Sequence, residues 1–271
     1  MTDAEPPEID PIELYRRYLA ARSPNAFRGQ FVSYGWGQLP FSLHMDWLPY
    51  SQMFQEYANE IANIINQLTR YLNRLDCWHR ALAGASDDEK MEALVEFIEP
   101  VAEGALSLPY AIRSRFIFAT AQLCHQANKA SQGIRWKDTF PQDGDVNFKT
   151  AEKYGQPWSA YPGCRDAFDK ISKGDFVVET LDFRNSHHHR FPPRVLIGMS
   201  GLMVRKHDDA MRAIQYVWGG TGPLQLDKIA DALATQSNLC YAAFDAFQAL
   251  VREHEAAIST HNTQVLGQIG A

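Results

Sequence analysis

The sequence predicts an all-α protein of 271 residues, a long-helix up-and-down bundle with an irregular N-terminal segment and a long internal loop. Two observations are stretches, 50–83 and 224–259, where apolar residues recur every three or four positions, the period of one helix face. The third is the chain between them, punctuated by glycine, proline and capping residues and without an internal repeat.

Taken in order, the first ten residues carry Pro6, Pro7 and four acids and are expected to be mobile. Residues 12–21 read as a short helix stopped by Ser23-Pro24. From 27 to 49 the chain turns aromatic and glycine-rich, as in Tyr34-Gly35-Trp36-Gly37, which predicts a packed irregular segment or a short hairpin. The helix over 50–83 lines up Met53, Tyr57, Ile61, Ile64, Leu68 and Leu72 before Gly84 ends it. Ser86 is an N-cap, and Asp87, Asp88 and Glu89 suit the positive end of the helix that follows. Pro100 should break or kink that helix, and Leu108-Pro109 should separate it from another over 110–131. Residues 133–163, rich in glycine and proline, read as a long loop with little structure.

A short helix is expected over 164–172, with Lys173-Gly174-Asp175 capping it and starting the next. Residues 176–183 include β-branched side chains that would suit a strand, but their continuity with the stretch that follows selects a helix over 175–188. Residues 195–204 should be extended or loop, and 207–218 a helix ended by Gly219-Gly220-Thr221-Gly222-Pro223. The last helix, 224–259, gives way after Thr260 to a polar tail expected to fray. The organisation is thus 1–49 as tail, short helix and irregular segment, and 50–271 as a helical bundle domain.

Hydrophobic content of 45% and charged content of 21% fit a soluble globular protein. No apolar run approaches a membrane span, and Met1-Thr2-Asp3-Ala4-Glu5 lacks the basic-then-apolar pattern of a signal peptide. A cytoplasmic location without a membrane partner is therefore expected. Cys77, Cys124, Cys164 and Cys240 are widely separated and read as buried thiols of a reducing compartment. A net charge of -6 argues against coating nucleic acid through bulk electrostatics. It leaves room for a local cationic patch formed by Arg184, Arg190, Arg194, Arg205 and Lys206.

Arginine, an amide and three imidazoles crowd into Arg184-Asn185-Ser186-His187-His188-His189, followed by Arg190-Phe191-Pro192-Pro193. Arginine is always charged and recognises phosphate, whereas histidine titrates near neutrality. On a helix, Arg184 and His188 share a face, while Arg184 and His189 diverge by about 140° at about 3.6 residues per turn. Pro192 ends the helix before Phe191, so His189 sits at or just past its end.

This hexapeptide resembles the R-polar-x-x-x-H motif of HEPN domains, helical domains found in toxins, defence proteins and RNA-processing enzymes. The resemblance covers the hexapeptide directly and the helical remainder loosely. It implies a metal-independent endoribonuclease without a cofactor, in which motifs from two protomers meet across a homodimer interface. Arg184 would then bind the scissile phosphate, His189 would move protons as base or acid, and Asn185 would orient the phosphate or the histidine. Products would be a 2′,3′-cyclic phosphate and a 5′-hydroxyl. His187, His188 and Arg190 would be auxiliary, with Arg194, Arg205 and Lys206 binding RNA. An antitoxin or other regulatory protein is a further implied partner, and some domains of this family bind without cleaving.

Competing readings are plainer. Arg184 could form a structural ion pair with Asp182, Asp175 or Glu179, and His187 could be a solvated helix end. Consecutive histidines point in different directions and do not converge on one ion, even with His207, Asp208 and Asp209 as supplements, so no metal is expected. The Gly219–Pro223 run lacks the lysine and buried strand of a phosphate loop and reads as a turn. Adjacent Cys124 and His125 cannot face each other and read as core. Tyr34, Trp36, Phe41 and Trp47 read as core aromatics before they read as base-stacking platforms.

Overall fold

Asp10 accepts the Ile12 amide at 2.9 Å and Pro11 occupies the first turn, so helix α1 forms over Pro11–Ala21. The computed structural model describes residues 10–208 and 213–269, so the expected mobility of the acidic N-terminus falls outside the described residues, as does Asp209. Residues 27–44 contain neither helix nor strand, and the hairpin alternative is set aside. Helix α2 runs over Leu48–Ala81 and ends ahead of Gly84, whose φ of +78° is left-handed. Ser86 and Glu89 close a reciprocal capping box at the start of α3, Asp87–Ala93.

Pro100 does not break the chain. A π-helical turn over Leu94–Ile98, closed by the Glu99 amide on the Leu94 carbonyl, leads straight into α4, Glu99–Ala127, so Pro100 falls in the first turn of that helix, where its missing N–H costs little. Pro109 does not separate two helices either; it lies inside α4. Ala105, Leu106 and Ile112 are fully buried on both sides of it, and that packing outweighs the lost hydrogen bond. A short α5, Lys129–Gln132, follows. The expected loop over 133–163 is also more structured than its composition suggests. Asn147 caps α6, Phe148–Gly155, whose Ala151 and Tyr154 are buried, and α7 already begins at Tyr161 and runs to Lys170.

The helix expected over 175–188 is two helices, α8, Asp175–Glu179, and α9, Phe183–His189. Thr180 Oγ1 donates to the Phe176 carbonyl at 2.6 Å, and Leu181 and Asp182 adopt φ of +54° and +51°. The Thr180 amide donates to the same carbonyl at 3.1 Å, the Leu181 and Asp182 amides fold back to the Val178 and Val177 carbonyls, and two successive left-handed residues re-aim the chain. Of the residues expected to form a helix over 207–218, the described ones, 207–208 and 213–218, are strand. Strand β1, Met203–Asp208, pairs antiparallel with β2, Ala213–Trp218. Ile214, Tyr216 and Trp218 supply the alternation and side-chain types of a strand. Finally, α10 extends over Leu226–Ile269, well past the expected fraying point. Asn262, buried, accepts the His44 amide at 2.7 Å and donates to the Ser42 carbonyl at 2.9 Å, which anchors its last turns.

The protein is thus mostly α-helical, with one two-stranded sheet among the described residues. No helix among them is long and apolar enough to cross a membrane. The chain divides into two compact units, each assembled from three stretches. The first, Met1–Gly29, Thr69–Ser107 and Gly174–Thr235, contains a ring stack in which Trp78 lies 4.8 Å from Tyr18 and 5.2 Å from Phe97. Arg28 there bonds Asp231 at 2.9 Å and Asp76 at 3.5 Å. The second, Gln30–Leu68, Leu108–Lys173 and Gln236–Ala271, stacks Phe116 on Phe168 at 4.8 Å and sets Trp36 edge-on to Phe54 and Phe244. All four cysteines are buried and free.

Candidate functional site

The site predicted from sequence falls on α9, in the first unit. A seven-residue helix cannot persist on its own propensity, so its position is fixed by packing. Phe183, 2% exposed, supplies that anchor, and the His187 ring stacks on it with centroids 5.5 Å apart. His187 Nδ1 is buried and faces the Glu103 carboxylate at 3.8 Å, outside hydrogen-bond reach. It thus lies beside both a phenyl ring and a carboxylate.

Arg184, His188 and His189 are exposed, and His189 is the last residue of the helix, with Arg190 as its C-cap. The three imidazoles form a chain of neighbours: His187 and His188 are 5.4 Å apart and edge-on, His188 and His189 6.4 Å apart and tilted. Arg184 and His188 share the helix face that their spacing predicts. Cations at this end complement the negative pole of the helix, although in so short a helix the effect is small. Asn185 donates from Nδ2 to Asp182 Oδ2 at 2.8 Å, so its amide nitrogen is held by the left-handed residue at the helix start.

The other predicted cations are distributed differently. Arg190 and Arg194 are exposed on the segment that leaves α9. Arg205 and Lys206 are both exposed on β1, but as consecutive strand residues they point to opposite faces of the hairpin. In the Gly219–Pro223 run, the Gly219 amide donates to Leu202 and the Thr221 amide to Ser200, so these donors serve the fold. Of the aromatics, Trp47 and Trp36 pack in the second unit, and Tyr34 donates to Asn63 at 2.9 Å, whereas Phe41 stands fully in solvent.

Other clusters do not compete chemically. Cys124 Sγ lies 3.5 Å from His254 Nε2, and Tyr50 bonds His254 Nδ1 at 3.0 Å. All three are buried, and burial raises the thiol and lowers the imidazole, to about 3. Both are held neutral, the opposite of a reactive thiolate–imidazolium pair. His125 bonds Asp138 at 3.0 Å inside a ring of Trp136, Phe140 and Tyr154. The Phe140 amide, followed by His125, holds the Asp138 carboxyl below its usual range, while burial lowers His125. An open pocket of about 640 Å³ in the second unit is lined by Trp36, Leu39, Phe54 and polar Gln55 and Asn59, with exposed Phe41 at its rim. None of its lining residues titrates, so it offers no acid or base. Among the described residues, no group of three or more histidine, cysteine, aspartate or glutamate side chains is placed to hold a metal ion.

Sequence reasoning missed Phe183 as anchor, Glu103 opposite His187, and Asp182 as the partner of Asn185. The first was visible as an apolar residue at the motif's edge; Glu103 lies far away in sequence and carries no local signal. Comparison with protein-family models, curated proteins and solved structures found no match to the chain.

Proposed function

We propose that the protein is a metal-independent endoribonuclease whose chemistry is carried by α9. The observation that supports this most is the joint exposure of Arg184, His188 and His189 on one short helix, with His188 and His189 ring centroids 6.4 Å apart. Arg184 would hold the scissile phosphate and stabilise charge gathering on its oxygens. One exposed imidazole would take the proton from the 2′-OH as O2′ attacks phosphorus. The other would give a proton to the departing 5′-oxygen, leaving a 2′,3′-cyclic phosphate and a 5′-hydroxyl. His189 is the histidine that the HEPN resemblance selects, and His188 is the one that shares a face with Arg184. The same resemblance makes a homodimer and a regulatory partner such as an antitoxin part of the proposal.

A second reading, a HEPN-like module that binds RNA or a protein without cutting, is favoured by Asn185, whose amide nitrogen is already engaged by Asp182. The test is incubation of end-labelled RNA with the protein in EDTA. Cyclic-phosphate ends that disappear in Arg184→Ala and in His188→Ala or His189→Ala uphold the nuclease. Bound but intact RNA selects the second reading, and cleavage of DNA or cleavage only with added metal overturns the first.

A further inference from the structure

The β1–β2 hairpin has an outward face that its burial pattern does not explain as scaffold. Its register pairs Met203 with Trp218, Arg205 with Tyr216 and His207 with Ile214, and side chains alternate between faces along each strand. One face therefore carries Met203, Arg205, His207, Ile214, Tyr216 and Trp218, and all six are exposed. Tyr216 is 67% and Trp218 83% exposed. On the opposite face Val204, Gln215 and Val217 are half-buried, and Lys206 and Ala213, nearer the turn, are exposed. The hairpin thus turns valines toward the protein and its largest rings toward solvent, the reverse of what burial alone selects.

The composition of that face points to a ligand class. It holds two aromatic rings and two basic side chains with no acid, on a protein whose net charge is -6. Tyr216 and Trp218 are two residues apart on one strand, so their attachment points stand about 7 Å apart at about 3.4 Å per residue. That separation equals about two base-stacking distances, so a base fits between the rings or one base lies on each. Arg205, directly across from Tyr216, carries charge beside the stacking surface where a backbone phosphate would run.

We propose that this face is a stacking platform for single-stranded RNA, with bases on Tyr216 and Trp218 and phosphates along Arg205 and His207. The choice of RNA over DNA rests on the nuclease reading above; the stacking and charge arguments stand without it. The platform and α9 belong to the same compact unit.

The test uses the full chain and a fluorescein-labelled 2′-O-methyl oligouridine, which lacks the attacking hydroxyl and so reports binding without cleavage. Anisotropy titration should show Tyr216→Ala and Trp218→Ala each weakening binding by about five- to 150-fold, the usual worth of one stacked base. Trp218→Phe should recover most of the loss, and Arg205→Ala should lower the slope of log affinity against log salt by about one. Unchanged melting temperatures confirm that these exposed substitutions leave the fold intact. Wild-type affinity in both aromatic variants overturns the platform, even where Arg184-dependent cleavage persists. Unmodified RNA left intact by the wild-type protein, with Trp218-dependent binding present, overturns the nuclease reading alone. Self-association that Trp218→Ala abolishes, without oligonucleotide binding, assigns the face to a second copy of the chain and overturns the proposal.

Discussion

His254 is the residue whose protonation the fold resists most clearly. It is fully buried, with Tyr50 Oη 3.0 Å from Nδ1, Cys124 Sγ 3.5 Å from Nε2 and the Trp158 ring at 4.4 Å. A neutral imidazole has one donor and one acceptor nitrogen, which these two partners satisfy; the cation would present two donors in an uncharged interior. Burial accordingly lowers its pKa to about 3. The unfolded imidazole protonates as pH falls through about 6.5, the native one only near 3, so between those values the unfolded state binds more protons. Stability therefore falls as pH falls, with a slope approaching about 1.4 kcal/mol per pH unit and about 2 kcal/mol lost between pH 7 and 5. His125, also lowered by burial, acts in the same sense, and Glu255, raised by burial, in the opposite one. Urea melts at both pH values on the wild type and on the double variant His254→Phe, Tyr50→Phe isolate this site, because the other two groups remain. The variant should lose about 2 kcal/mol less than the wild type over that interval. Equal losses would refute the assignment of His254 as a buried neutral group.

Two further outcomes test the scaffold. Ser86→Ala removes the capping-box hydroxyl at the start of α3 and should cost about 1 kcal/mol in chemical denaturation, largely recovered by Ser86→Thr; no change would show that the cap is solvent-replaced. Cys77, Cys124, Cys164 and Cys240 are all buried, and burial raises each thiol, so an aromatic disulfide reagent should titrate none of them promptly in the native protein and four in denaturant. Rapid native reaction at any one would contradict its burial.

What could be read from sequence follows from how local the determining forces are. The apolar stripe of α2 and the Ser86 cap were legible because the residues that decide them lie within a few turns of each other. Pro109 misled because its local cost is offset by packing of Ala105, Leu106 and Ile112, which single-sequence periodicity does not reveal. The hairpin was misread because Ile214, Val217 and Trp218 fit a helical spacing as readily as Ile214, Tyr216 and Trp218 fit a strand. Within the candidate site, the shared face of Arg184 and His188 was legible from their spacing alone. The interruption after Thr180 was not, because two non-glycine residues, Leu181 and Asp182, adopt the left-handed conformation there, which their side chains do not signal. Nor was the approach of Glu103 to His187, which only the folded chain brings about.

The break before α9 has a consequence for how any ligand of the histidines would be bound. Cut off from α8 by two left-handed residues, the seven residues of α9 gain nothing from cooperative extension of a longer helix. Their helical state rests instead on the burial of Phe183 and the Asn185–Asp182 bond. Measured affinity for a ligand that reads Arg184 and His188 together is then the intrinsic affinity diluted by the fraction of molecules in which that turn is formed. A change at Phe183, which need never touch the ligand, would act on recognition as an effector does, by redistributing conformers, and bound ligand would in return protect the helix amides from exchange with solvent.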